Sequence, residues 1–319
     1  MADEHSRIRF FPVSFFSMVM GLTGFAVAAQ RAEAVFALPS GAGQGFAWFS
    51  AIVFLLLLAV YGIKLLRFPQ EVLKELNHPV KLSFFPTISI SLILLSIALR
   101  AESATLSFGL FALGAPMQLG FTLFVMSRWI SHTHFEVHHS NPSWFIPVVG
   151  NILLPIAASS HGLSEMGWFF FSIGVVFWLV LLTIIINRVI FHNPLPEKLA
   201  PTFFILIAPP AVGFISYVKL SGGLDGFARV LFYTALFIVL LLAALHRKFR
   251  GIKFFLSWWA YSFPTAAFAI ASMLMFEQTG MVFFGLLSRV MLVLLAGIIV
   301  LLLVRTVAAM LKREVCVEE

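Results

Sequence analysis

The stretch MGWFFFSIGVVFWLVLLTIIIN, residues 166–187, decides the architecture, because it holds 22 consecutive residues without a single charge. At 1.5 Å per residue a helix of that length rises about 33 Å, enough to cross the ~30 Å hydrocarbon core of a bilayer. Inside lipid every backbone polar group needs an internal partner, and a single unbroken apolar run supplies those partners only as a helix. Working outward from this segment, nine more runs of the same character follow. Ten spans therefore lie approximately at 12–29, 45–66, 83–99, 104–127, 142–160, 166–187, 200–218, 230–245, 254–275 and 280–304. Composition agrees: 61% of the 319 residues are hydrophobic, 11% are charged, and the mean hydropathy is +1.00. A soluble domain carries about 25% charged residues, so no water-soluble surface can be built from this chain. Residues 1–319 are expected to form one all-α transmembrane domain, with short cytoplasmic tails at about 1–10 and 306–319.

Lys and Arg fix the orientation. With ten spans both termini share one side, and that side collects 16 of the 21 basic residues. The other side has Arg31, Arg100, Lys219 and Arg229, and Arg289 falls inside the last span. Basic residues are retained in the cytoplasm, so both termini are expected there, in a bacterial inner membrane. The net charge of +7 serves this topology and calls for no nucleic-acid partner. Arg7, Arg9, the following apolar run and Ala26-Val27-Ala28 imitate a cleavable signal peptide, but cleavage would leave nine spans and spoil the charge asymmetry. The one cysteine, Cys316, excludes a disulfide framework and a Cys-based metal site, and no cofactor is expected.

Prolines give the next level of order. Every odd-numbered span has one near its start or middle, at Pro12, Pro86, Pro147, Pro209 with Pro210, and Pro264, whereas Pro116 is alone in the even spans. The flanking sequence repeats in the same register, as Phe10-Phe11-Pro12, Phe84-Phe85-Pro86, Trp144-Phe145-Ile146-Pro147 and Ser262-Phe263-Pro264. A proline in a helix frees a carbonyl, which lipid tolerates only where protein or a wet cavity takes it up. The odd spans are therefore expected inside and the smooth, Leu/Ile/Val-rich even spans outside. Five parallel helical hairpins then close into a pseudo-five-fold ring around a central pore, with Pro86, Pro147, Pro209 and Pro264 as its kink points.

The inner spans also carry small and hydroxyl residues, among which Ser14, Ser17, Gly21, Phe84, Ser89, Ser91, Asn151, Ser216 and Ser262 are the candidate pore lining. Such residues also let membrane helices pack closely, so each position alone is ambiguous. No Asp, Glu, Lys or Arg lies at mid-membrane depth in an inner span. Ion-coupled transporters usually need one, so its absence favours passive conduction. Phe263 precedes a proline that can aim its ring at the axis, although a lone aromatic on a membrane helix is more often filler.

These residues resemble one family. His78-Pro79-Val80-Lys81-Leu82-Ser83-Phe84-Phe85, Asn141-Pro142-Ser143-Trp144-Phe145-Ile146-Pro147-Val148-Val149-Gly150-Asn151 and Ser257-Trp258-Trp259-Ala260-Tyr261-Ser262-Phe263-Pro264 are similar to motifs of the tellurite-resistance TehA and plant slow-type anion channel family, which includes fungal malate permeases. The resemblance implies a homotrimer in the lipid bilayer, each protomer carrying its own anion pore closed by a phenylalanine. That role transfers to Phe263, followed here by proline as in plant members rather than by the glycine of some bacterial ones. Ser17 matches a small lining position that is glycine in relatives, and Val19 stands where some relatives have a kinking proline. The long termini on which kinases act in plant members are not matched, so tail phosphorylation is not expected. The expected function is an anion channel for small monovalent ions such as chloride and nitrate, not an enzyme. The alternative is a carrier for C4-dicarboxylates or an exporter of tellurite. A carrier commonly has inverted repeats, and a dicarboxylate site would present arginine, whereas these hairpins are parallel and no inner span offers one.

Two features stand apart. His132-Thr133-His134-Phe135-Glu136-Val137-His138-His139 resembles a histidine box of membrane di-iron enzymes, but His5, His78, His161, His192 and His246 are isolated, so the expected reading is a polar loop with no metal. Arg289, inside an outer span, is expected to snorkel to the interface or to pair with Glu277 or a neighbouring subunit.

Overall fold

The computed structural model describes residues 7–131 and 135–316. Ten apolar helical spans run in chain order: span 1 (Val13–Val35), span 2 (Ala42–Arg67), span 3 (Lys81–Ala98), span 4 (Ala104–Ser131), span 5 (Pro142–Ser160), span 6 (Ser164–Phe191), span 7 (Glu197–Ser221), span 8 (Gly226–Ala244), span 9 (Leu256–Thr279) and span 10 (Val282–Leu311). Among the described residues there is no strand. Several spans extend past the uncharged runs, since span 2 keeps Lys64 and Arg67 in its last turn and span 10 continues through Arg305. Cations near a helix C-terminus offset the partial negative charge there, so charge alone does not end a helix.

The two layers separate as the patterning requires. In the most apolar stretch of each odd span 61–83% of residues are buried within the protein, against 28–33% in each even span. Span 1 packs on spans 3 and 9, span 3 on span 5, span 5 on span 7 and span 7 on span 9, which closes the inner ring. Each even span packs against the odd span preceding it, so the five hairpins keep their order around the axis. Glycine permits the closest approaches. A methyl at Gly21 would fall 2.1 Å from Ser262 Oγ, and one at Gly150 would fall 2.7 Å from Ile90 Cδ1 and 2.9 Å from Gln118 Nε2.

Pro86, Pro209 and Pro264 open helical segments rather than interrupting continuous helices. Each odd span opens with 3-10 turns, at Val13–Phe15, Lys81–Phe84, Pro142–Trp144, Glu197–Ile207 and Leu256–Tyr261. Pro12, Pro86 and Pro209 sit at the N-cap or first turn of the helical segment that follows. There a missing N–H costs nothing, because the first-turn donors have no intrahelical acceptor. Pro264 likewise lies in the first turn of the helix Ser262–Thr279. Span 5 is broken most, into Phe145–Val149, a 3-10 turn at Gly150–Leu153, and Leu154–Ser160. Its neighbour absorbs the break: the Pro147 carbonyl accepts from Gln118 Nε2 at 3.0 Å and Thr122 Oγ1 at 2.7 Å, both on span 4.

An element the hydropathy pattern did not announce, the helix Pro69–Asn77, joins spans 2 and 3. It carries Glu75, buried with Lys64 at 2–8% side-chain exposure and paired at 3.0 Å. Tyr61 donates its hydroxyl to Glu75 at 2.8 Å, Lys64 donates to the Phe11 carbonyl at 2.8 Å, and the Val13 N–H reaches Glu75 Oε1 at 3.4 Å. One ion pair thus anchors the start of span 1, the end of span 2 and this helix.

Candidate conduction pathway

Inside the ring lies a narrow cavity of about 80 Å³; among the described residues, all five odd spans line it and no even span does. Span 1 gives Ser17 and Met20, span 3 Phe84 and Ile90, and span 5 Phe145, Ile146, Val149, Gly150 and Leu153. Span 7 gives Thr202, Ile205, Ala208, Pro209 and Val212, and span 9 gives Ser257, Trp259, Ala260, Phe263 and Pro264. The 3-10 openings position this wall, because a 3-10 turn eclipses residues three apart and then hands over to the α-helix with a changed side-chain direction. Among the described residues no charged side chain borders the cavity.

Of the candidate lining residues, Ser17 and Phe84 border the cavity, with Phe263, Pro209 and Pro264 beside them. The structure places the others elsewhere. Gly21 and Ser262 meet each other at the joint of spans 1 and 9. Ser14 accepts the Ser17 hydroxyl on its carbonyl at 2.6 Å. Ser89 donates to the Pro86 carbonyl and to Gln118 Oε1, at 2.9 and 2.7 Å, and so faces span 4. Ser91 donates to the Thr87 carbonyl at 2.6 Å, and Ser216 ties span 7 to the Ile152 carbonyl of span 5 at 2.5 Å. Asn151 donates to Thr122 Oγ1 and the Val148 carbonyl at 2.9 and 2.7 Å, leaving its buried Oδ1 without a partner. Pro86 and Pro147 are not among the lining residues: Pro86 is the N-cap of the helix Thr87–Ala98, and Pro147 lies in the short helix Phe145–Val149. Ser89, Asn151 and Ser216 therefore hold inner helices to their neighbours, as buried polar groups in a membrane must.

The hydroxyls that do reach the cavity are also committed. Ser17 donates to Ser14, Thr202 to the Leu199 carbonyl at 2.5 Å, and Ser257 to the Lys198 carbonyl at 2.5 Å. Each proton is used on backbone, so these oxygens offer the cavity lone pairs rather than donors. A wall of aliphatic, aromatic and acceptor atoms holds an anion only loosely. Thr202 and Ser257 were missed in the sequence because both lie in 3-10 segments, where helical spacing from the span centres gives no signal.

Phe263 is half-buried and its ring leans on span 1. A methyl added to Gly24 would sit 3.2 Å from Phe263 Cδ2 and 3.2 Å from the Ala266 Cβ, so glycine leaves the groove in which the ring lies. Arg289 places its guanidinium over the Phe36 ring at 4.4 Å, while Glu277 pairs with Arg31 instead. His132 and His134 lie outside the described residues. Of the remaining loop, His138 meets Glu136 at 3.1 Å, and no group of three metal-binding side chains occurs among the described residues.

Ten spans in five hairpins, with an internal cavity walled among the described residues by the odd members alone, define a multi-pass helical membrane protein. The particular family follows from comparison: residues 10–307 match the family described as voltage-dependent anion channel (SLAC1), and the chain belongs to it. Among relatives, the S-type anion channel SLAH3 of Arabidopsis thaliana is 31% identical over 82% of this chain and 42% of its own length. SLAH2 of the same plant is also 31% identical, covered over 52% of its length, so the chain spans about half of these plant proteins. The uncharacterized transporter MJ0576 of Methanocaldococcus jannaschii is 27% identical over 85% of both chains. The tellurite resistance protein TehA homolog of Haemophilus influenzae is 25% identical over 81% of this chain and 79% of its own.

Proposed function

We propose that the protein is an anion channel conducting small monovalent anions, chloride and nitrate among them, through a pore within each protomer, with Phe263 as the gate. The observation that carries the reading is the cavity lined by all five odd spans, with the Phe263 ring in its wall. The phenyl ring acts as a steric plug and keeps the narrow stretch dry. Anions are favoured because the inner helices point their positive N-terminal ends, together with most of the basic residues, at the cytoplasmic mouth. Selection is weak, since the side-chain hydroxyls and indole N–H of the cavity wall are already committed to the protein. We infer a homotrimer, as the resemblance implies, with both termini cytoplasmic in a bacterial inner membrane, an orientation supported by the 16 to 4 partition of Lys and Arg.

A carrier for C4-dicarboxylates or an exporter of tellurite is the competing activity, and the uncharged wall speaks against the first. The test compares currents of wild type and Phe263→Ala in planar bilayers under chloride, nitrate and malate gradients. A large mutant current reversing near the chloride or nitrate potential is expected. Silence in both proteins, with saturable malate or tellurite flux in proteoliposomes, would replace the channel by a carrier.

A further inference from the structure

The five inner spans run parallel, so their C-terminal ends all meet at the mouth remote from the chain termini. Each end carries about half a negative charge. An anion path that opens onto five such ends would repel the ions it admits. Three cations stand at this mouth on inner spans: Arg31 near the end of span 1, Arg100 just past span 3, and Lys219 in the last turn of span 7. Arg31 is neutralised by Glu277 of span 9. The other two converge on one residue, Ser160, the last of span 5: Arg100 Nη2 donates to its carbonyl at 3.2 Å, and Lys219 Nζ to its hydroxyl oxygen at 3.4 Å. The Ser160 proton goes to the Ile156 carbonyl at 2.9 Å, so the serine meets both cations through lone pairs alone.

We propose that Arg100 and Lys219, gathered over Ser160, form an outer site that captures small inorganic anions and feeds them to the cavity. A simple helix cap does not account for the arrangement, because neither cation caps its own span: both come from flanking helices onto the end of the helix between them. Neither has an ion-pair partner among the described residues, although Glu102 and Glu165 lie in the adjoining sequence. Two positive charges held over one helix end exceed its half charge and reverse the sign of that sector of the mouth. The remaining guanidinium and ammonium donors are free to hold an anion between them.

This site deepens the anion-channel reading and rests on it, so its test has a binding arm and a flux arm. Arg100→Gln, Lys219→Gln and the double variant are made in Phe263→Ala, where current is not limited by the gate. For a charge about 7 Å from the permeating ion, inward chloride flux at 10 mM salt falls about twofold per charge and about fivefold for both, with almost no loss at 0.5 M salt. Lys219→Arg retains the flux, which separates charge from packing. In crystals soaked in bromide, the anomalous signal is expected beside Lys219 and Arg100 and is lost in the double variant. Unchanged flux at 10 mM, a loss that persists at 0.5 M, or no bromide at this place would overturn the site. Bromide bound there with no anion current from any protein would instead uphold the site and remove the channel.

Discussion

The closest check on the proposed gate is Gly24→Ala, because Gly24 touches Phe263 without being among the residues that border the cavity. The added methyl would lie 3.2 Å from the ring edge, whereas carbon atoms rest at ~3.5–4.0 Å, so the ring has to shift by roughly 0.3–0.8 Å. Crowding of this kind in a packed interior costs ~1–3 kcal/mol. If about 1 kcal/mol of that falls on the closed position of the ring, the ratio of open to closed rises about fivefold. Ala266 Cβ, also 3.2 Å away, is on the same helix as Phe263 and moves with it. The assay is a double-mutant cycle of bilayer currents from wild type, Gly24→Ala, Phe263→Ala and the double variant, each checked for intact assembly by size-exclusion chromatography. Gly24→Ala is expected to raise current several-fold in the wild type and much less in Phe263→Ala, where the methyl has no ring to displace and only the Ala266 contact remains. An equal rise in both backgrounds, or no rise with the ring present, would refute the contact as the gate's seat.

Other outcomes follow from the same geometry. Glu75→Gln leaves Lys64 buried without its counterion and is expected to lower stability by ~3–5 kcal/mol, whereas Glu71→Gln, at the partly exposed pair with Arg9, costs at most about 1 kcal/mol. Thermal melts in detergent compare the two, and equal losses would contradict the anchoring role of the buried pair. Burial and the nearby Arg100 hold the His161 imidazole below its ordinary pKa of 6.5. The folded state therefore binds that proton less readily than the unfolded chain, and stability falls as pH drops below about 6.5. His161→Gln is expected to flatten the fall in melting temperature between pH 7.5 and 5.5, and an unchanged slope would count against it. Gln118→Leu removes a donor from the Pro147 carbonyl and the acceptor of Ser89, at a cost of ~1–3 kcal/mol readable in the same melts.

The layer order was legible because lipid enforces it. A span with a proline must find protein around it, so Pro12, Pro86, Pro147, Pro209 and Pro264 marked the inner ring. What the prolines do was less legible: Pro86, Pro209 and Pro264 sit where 3-10 turns pass into α-helix, and such joins have no hydrophobic period to reveal them. Serine was ambiguous for a different reason. Ser89 and Ser216 stand on inner helices as Ser17 does, but their hydroxyls join helix to helix, and a sequence does not say on which side of a ring a side chain turns. Ser262 and Gly21 show the same limit, because the pair reads as pore lining until the two are seen in contact. The Lys64–Glu75 pair was hidden at a span boundary, where charge is ordinarily solvated.

The central claim is that the odd spans alone wall the path. It is tested most directly by cysteine modification, with Cys316→Ser and Phe263→Ala as background. Single cysteines at Val149 and Val212, which border the cavity, are compared with one at Leu179 on the lipid-facing side of span 6, which is 55% exposed. A small charged thiol reagent is expected to block the anion current through the first two and to leave the third unaffected. Block at Leu179 with Val149 and Val212 insensitive would place the path between subunits or outside the ring and contradict the account.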